Sequence, residues 1–169
     1  MDTSFLPYTD LDRLEPGCCC PAFDPKAWDQ LDLHFHDKLF VHVTTRSLFH
    51  IPLNMGAVFF DTWEAIKTAG AEDCRYAVLS NDESKWRGEH YFAVTKEVAG
   101  LHNVTLSGNF TTRVFEGPYR DAYIWVNEMR EDIALMGHRM GRLFFYYTTC
   151  PKCAGRRGKN YVVGVGELL

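Results

Sequence analysis

The 169-residue chain predicts an α+β fold: two pseudo-symmetric strand–helix–strand–strand units with antiparallel sheet and helices on one face. Three observations predict it. Phe49-His50-Ile51-Pro52 closes one β-rich stretch, and Phe115-Glu116-Gly117-Pro118 closes another. Each is followed by a helical pattern that stops at a glycine, Gly70 or Gly137. Further on, the segment Gly88 to Val94 resembles the segment Gly158 to Gly164. The anchors keep their order and nearly constant spacing, as an internal repeat does.

Each element has its own signal. Residues 39–51 are strand-rich, with a bend expected near Thr44-Thr45. From 54 to 69, Met55, Phe59, Trp63 and Ile66 recur at helical spacing. Residues 76–79 and 91–96 read as short strands. The second unit opens with Val104, Leu106, Gly108 and Phe110 alternating with polar residues, a half-buried strand running toward Phe115. Pro118 suits the first turn of a helix, where its missing N–H costs nothing. Tyr119, Ala122, Val126, Met129 and Ile133 form that helix's stripe, and Gly137 its C-terminal cap. Residues 143–148 and 160–165 are the last two strands. The units span about 39–97 and 104–166 within a domain covering 38–169. Residues 1–37, rich in Pro, Asp and Cys, read as an N-terminal extension docked on it.

Composition narrows the function classes. A hydrophobic share of 46% and an aromatic share of 14% suit a packed core rather than disorder. The net charge is -4, and Arg156-Arg157-Gly158-Lys159 is the one basic run, so no nucleic-acid partner is expected. No apolar run reaches the roughly 20 residues that span a bilayer. Residues 1–8 lack the basic start and apolar run of a signal peptide. The expectation is a cytoplasmic protein without a membrane partner, whose sheet edges leave room for a homodimer.

The run from Asn109 to Tyr119, leading into a helix centred on Trp125, resembles the GyrI-like small-molecule-binding domain family. So does the stretch from Tyr91 to Gly100. The resemblance covers roughly 39–168 and is most specific across 91–137. It implies two pseudo-symmetric modules with an aromatic ligand groove between them. The family includes drug-sensing domains, a gyrase inhibitor and hydrolases that open strained rings. Chains of this length with added cysteines resemble a stand-alone subgroup labelled hydrolase. In drug-sensing members a glutamate near the start of the last strand meets cationic ligands, and the matching place here is Asn160. A neutral amide cannot compensate a buried cation, so a neutral, hydrogen-bonding ligand is expected.

A groove for a small hydrophobic molecule wants apolar walls and a few placed polar groups. Candidate ligand-binding residues are Trp63, Tyr91, Tyr119, Trp125, Tyr146 and Asn160, with Tyr147 and Tyr161 as further aromatics. The competing reading of each aromatic is plain core. Glu116 is the candidate catalytic acid: at a strand end inside an aromatic groove its pKa would rise, fitting it to activate water or protonate a leaving oxygen. Its competing reading is a solvated carboxylate or a helix-start acceptor. His50 holds the matching place in the first unit. No Gly-x-Ser-x-Gly elbow is present, and Ser80 has no recognisable catalytic setting.

Cys150-Pro151-Lys152-Cys153 has the spacing that lets one metal take two thiolates. A closed structural site needs a second pair, and Cys18-Cys19-Cys20-Pro21 supplies it. The expected zinc ligands are Cys19, Cys20, Cys150 and Cys153, with Cys18 or a histidine of His34-Phe35-His36 as substitutes. A redox pair is the alternative, but that motif normally opens a helix, and residues 152–159 are basic and glycine-rich. The functional expectation is a hydrolase of a small hydrophobic or electrophilic compound. The alternatives are a non-catalytic ligand-sequestering module and a gyrase-inhibitor-like interaction factor.

Overall fold

The computed structural model describes residues 5–11, 14 and 16–169; the rest of the extension, at 1–4, 12, 13 and 15, lies outside the described residues. The elements are α1 (Pro25–Trp28), β1 (Asp32–Leu48), β2 (Ile51–Pro52), α2 (Met55–Thr68), β3 (Val78–Asn81), β4 (Arg87–Ala93), β5 (His102–Glu116), α3 (Ala122–Leu135), β6 (Met140–Tyr147), α4 (Pro151–Arg157) and β7 (Tyr161–Leu168). A short 3-10 turn, Tyr119–Asp121, leads into α3. The fold is α+β. Its antiparallel sheet runs β1-β4-β3-β6-β7-β5 and returns to β1, closing a barrel.

The long strands make closure work. The first part of β1, from Asp32 to His42, pairs with β5, and its second part, from Phe40 to Arg46, pairs with β4. β5 likewise turns from β1 to β7, with Phe110 opposite Glu167 and Glu116 opposite Tyr161. The register shifts between Phe35 and Lys38; there Asp37 takes a positive φ of 49°. Such a bulge bends the strand and increases its twist. β1 begins at Asp32, so residues 32–37 are part of the barrel wall and the expected boundary at 37/38 falls inside a strand.

Alternation sorts the side chains into three apolar groups. Leu33, Phe35, Phe40, Leu79, Phe110, Phe144, Tyr146, Val163 and Val165 fill the barrel, joined by Leu6 and Trp28 of the extension. α2 covers Val41, Val78 and Phe92 with Ile66, half-buried Phe59 and half-buried Trp63. α3 covers Phe115, Phe145, Leu143 and Val162 with Trp125, Met129 and Ile133. Two glycines let α3 sit close. A Cβ on Gly164 would lie 2.9 Å from the Met129 sulfur, and one on Gly166 would lie 2.6 Å from Ile133 Cδ1.

Other differences from expectation have local causes. Phe49 and His50 form the tip of a two-residue hairpin between β1 and β2, with φ of 49° and 67°. Both central residues need positive φ in such a turn. Phe49 is therefore exposed, whereas Phe115, its expected counterpart, is a buried strand residue. Gly88 lies within β4, whereas Gly158 caps α4 in a left-handed conformation. α4 itself contradicts the expected loop: Pro151 at its first turn and Gly158 at its end outweigh the basic, glycine-containing interior. No helix among the described residues is long and apolar enough to cross a membrane.

Candidate metal centre and acid–base seam

Cys18-Cys19-Cys20 precedes a strap that crosses one end of the barrel. Within the strap Asp24 caps α1 by accepting the Lys26 N–H at 3.0 Å. Trp28 packs on Tyr146 at 5.2 Å between ring centroids. Thr112 Oγ1 donates to the Trp28 carbonyl, and Val114 N–H donates to Asp29 Oδ1 at 2.9 Å. A small cavity of about 60 Å³ remains beneath the strap, bordered by Phe23, Asp24, Trp28, Tyr146 and Thr148 among others.

The strap brings Cys19 and Cys20 onto the N-terminal turn of α4. The sulfurs of Cys19, Cys20, Cys150 and Cys153 all lie within 4.8 Å of one another. Cys19 Sγ is 3.7 Å from the sulfurs of Cys150 and Cys153. Four thiolates around one zinc, at Zn–S of about 2.3 Å, stand about 3.8 Å apart at the corners of a tetrahedron. Backbone N–H groups already point at two of the sulfurs: Cys19 N to Cys153 Sγ and Cys150 N to Cys20 Sγ, both 3.2 Å. Burial pushes the Cys153 thiol up, but N–H groups of Cys19 and Cys20 and neighbouring thiols bring it down to about 6. Arg157 donates to the carbonyls of Cys20 and Pro21 at 2.8 and 3.2 Å, fixing the strap to α4. The donor set fits a metal ion such as zinc. Cys18 stands outside the four. The CxxC does open a helix, as a redox motif would. What favours a metal is the convergence of two further sulfurs.

The expected ligand-binding residues are not gathered at one groove. Tyr146 points into the filled barrel, and half-buried Tyr91 packs against that same core. Trp63 lies under α2 against Tyr76 at 5.2 Å. Trp125 lies under α3, stacked on Phe115 at 5.3 Å and 13°. Asn160 fastens the Gly-Pro-Tyr turn: its Nδ2 donates to the Gly117 carbonyl at 2.8 Å, and Gly117 N–H donates to the Asn160 carbonyl at 3.1 Å. Its Oδ1 is buried without a partner among the described residues. Glu116 is exposed at the end of β5, beside an open depression shared with Lys26, Asp29 and Tyr161. His50 lies elsewhere, its Nδ1–H donating to the Asp82 carbonyl at 3.0 Å.

A different acid stands at the seam where β3 meets β6. Ser80 of β3 is directly opposite Phe145 of β6, and Asp82 follows just past the strand end. Tyr147 donates its hydroxyl to Asp82 Oδ2 at 3.3 Å. An aromatic run continues from there: Tyr147 to Tyr119 at 5.8 Å, Tyr147 to Phe145 at 6.2 Å, and Phe145 to Trp125 at 6.3 Å. Tyr119 gives its hydroxyl to the Thr149 carbonyl. Burial holds the Asp82 carboxyl above the usual range, against the opposing pull of Tyr147 and His50. Burial also raises Tyr119 to about 12 and keeps Tyr147 protonated as a donor.

Beneath α2 lies a polar node that the sequence did not announce. His90 is fully buried. Its Nδ1 meets Ser80 Oγ at 2.7 Å, and its Nε2 meets Thr45 Oγ1 at 2.8 Å. Phe59 of α2 caps the ring at 4.9 Å. Burial lowers the His90 pKa to about 4, so the ring is neutral at pH 7. A neutral imidazole offers one donor and one acceptor, and the two hydroxyls satisfy both.

The sequence matches the model of a family described as "Bacterial hydrolase" over residues 11–168. No curated protein matches it. A match across strap, barrel and both helices shows that the chain belongs to this bacterial hydrolase family.

Proposed function

We propose that the protein hydrolyses a small, uncharged and largely apolar molecule, using Asp82 as its acid–base group. In this reading two GyrI-like strand–helix–strand–strand units meet at the β3–β6 seam, and the substrate lies against the half-buried Tyr119 and Tyr147 beside it. The observation that carries the proposal is the half-buried Asp82 carboxyl held by the Tyr147 hydroxyl. A carboxyl raised by burial holds its proton nearer neutral pH than an ordinary aspartate and, once ionised, is a stronger base. Deprotonated, it takes a proton from an attacking water; protonated, it gives one to the departing oxygen. Tyr147 gives its single hydroxyl proton to Asp82 Oδ2 and so steadies the carboxyl in place through the step. Exposed Phe49 and Trp86, 5.2 Å apart, offer an apolar approach beside the same loop.

Cys19, Cys20, Cys150 and Cys153 would hold the zinc as a closed structural site. The ion supplies cross-linking of the strap to α4, with no open position for substrate. Residues 20–31 then seal the end of the barrel.

Two measurements test these assignments. Purified protein is assayed against small esters, lactones and strained-ring ethers. Asp82→Asn should lower kcat/KM for any compound turned over by at least about 100-fold, while Glu116→Gln changes it little. An Asp82→Asn protein retaining full turnover would sink the assignment. Metal analysis should find about one zinc per chain, falling below about 0.2 in Cys20→Ser or Cys150→Ser, with loss of thermal stability. Metal-free protein of undiminished stability would remove the structural zinc. A protein that binds these compounds at the seam without turnover would favour the ligand-sequestering alternative.

A further inference from the structure

The glycine at position 88 brings the buried polar node and the Asp82 carboxyl together. A Cβ built on Gly88 would stand 2.7 Å from Thr45 Oγ1, 2.8 Å from Asp82 Oδ1 and 2.9 Å from His90 Nε2. Three polar atoms from three strand segments therefore crowd around one point that only a glycine leaves free. We propose that His90, clamped between Ser80 and Thr45, is a positioning residue that fixes the wall against which the Asp82 carboxyl is held, with Gly88 as the required gap. This rests on the reading of Asp82 as the acid–base group.

The physical case has two parts. The first is geometric. Ser80 and Asp82 sit on one chain segment, so locking Ser80 to His90 at 2.7 Å fixes the exit of β3. Locking Thr45 to the other side of the ring at 2.8 Å fixes β1. Asp82 then has two fixed surfaces, this wall and the Tyr147 hydroxyl. The second is electrostatic. Asp82 Oδ1 and His90 Nε2 are at most about 6 Å apart, close enough for a full positive charge on the ring to favour the carboxylate. A histidine bonded by two neutral hydroxyls brings polarity to the wall without that charge. The other titratable groups facing this region are His42 of β1 toward His90, and His50 and Tyr147 toward Asp82.

The test reads the titration of Asp82 by its carboxyl carbon NMR signal, in the full chain and without substrate. Asn at position 90 can replace the Nδ1 contact to Ser80, and Gln can reach the Nε2 side facing Thr45 and Asp82. His90→Gln and His90→Asn each keep one of the two clamp contacts and lose the other, so both should lower the Asp82 midpoint by about 1 unit as the carboxyl relaxes into water. Gly88→Ala should lower it similarly, because Thr45 and His90 are pinned and the carboxylate is the end that can yield. It also serves if His90→Asn fails to fold. A midpoint unmoved in folded Gly88→Ala, or unmoved in both folded His90 variants, would overturn the proposal. Turnover retained by Asp82→Asn would instead sink the hydrolytic role of Asp82 and leave this titration result as it stands.

Discussion

The two long helices lie on the same barrel but on floors that differ in one respect. Under α2 the apolar wall of Val41, Val78 and Phe92 also carries Thr45, Ser80 and His90, with Phe59 above the imidazole. Under α3 the wall presents Phe115, Phe145 and Gly164, with Trp125 and Met129 above them. The α3 side is a packed aromatic interface, where close approach and dispersion decide stability. The α2 side buries a hydrogen-bonded chain, where every donor must stay paired. A fold that needed only a core could have used the second solution twice. The polar floor lies next to Asp82, and that adjacency is the reason to read it as serving the site.

Three measurements sharpen or break this contrast. The largest effect is expected at Trp125, which is 5% exposed and stacked on Phe115. Trp125→Ala should cost about 3–5 kcal/mol in urea unfolding. A loss under about 1 kcal/mol would mean that α3 is not anchored as described.

Next comes the pH dependence of the α2 side. Folded His90 takes its proton near pH 4, whereas an unfolded histidine takes it near 6.5. Between those values the unfolded chain binds more protons, so stability present above pH 6.5 is lost as the pH falls toward 4. The full swing is about 3 kcal/mol. Asp82 works in the opposite direction: its raised folded pKa makes stability decline as pH rises through its own window. His90→Gln should remove the histidine part of the slope. An unchanged slope between pH 6.5 and 4 would contradict the buried, neutral ring.

The smallest pair of changes compares glycines. Gly166→Ala forces a methyl against Ile133 and Met129 and should destabilise by about 1–3 kcal/mol. Gly56→Ala, in α2 with nothing within 4 Å of the new carbon, should stabilise by about 0.5–1 kcal/mol. Thermal melts of the two variants report both, and equal shifts would erase the distinction between a tight and an open helix contact.

Much of this architecture could be read from residue order. The stripes of α2 and α3, the alternation in β5 and the cysteine quartet each carry a local signal, and each is present. The start of β1 was hidden although Leu33 and Phe35 alternate with Asp32, His34 and His36; the Pro, Asp and Cys content around them suggested an extension. α4 was hidden by its basic interior. Asp82 was hidden for a different reason. In Asn81-Asp82-Glu83-Ser84 it reads as one more solvated loop acid, and its partner Tyr147 lies 65 positions away. His90 resembles any polar strand residue until Ser80 and Thr45 arrive from two other strands. Tyr146 and Tyr147 show how fine the distinction is, since adjacent strand residues face opposite sides and only the second reaches the seam.

β1 runs unbroken from the strap into the barrel wall, and its residues from Asp32 to His42 cover one side of β5. Trimming the chain to begin at residue 38 would uncap the hydrogen-bonding groups of β5 from Gly108 to Thr111 and leave a raw edge beside Phe110. Such an edge recruits any strand that fits, and the nearest fitting strand is the same segment of another copy. The amino-terminal stretch thus shields the part of β5 that would otherwise seed strand exchange.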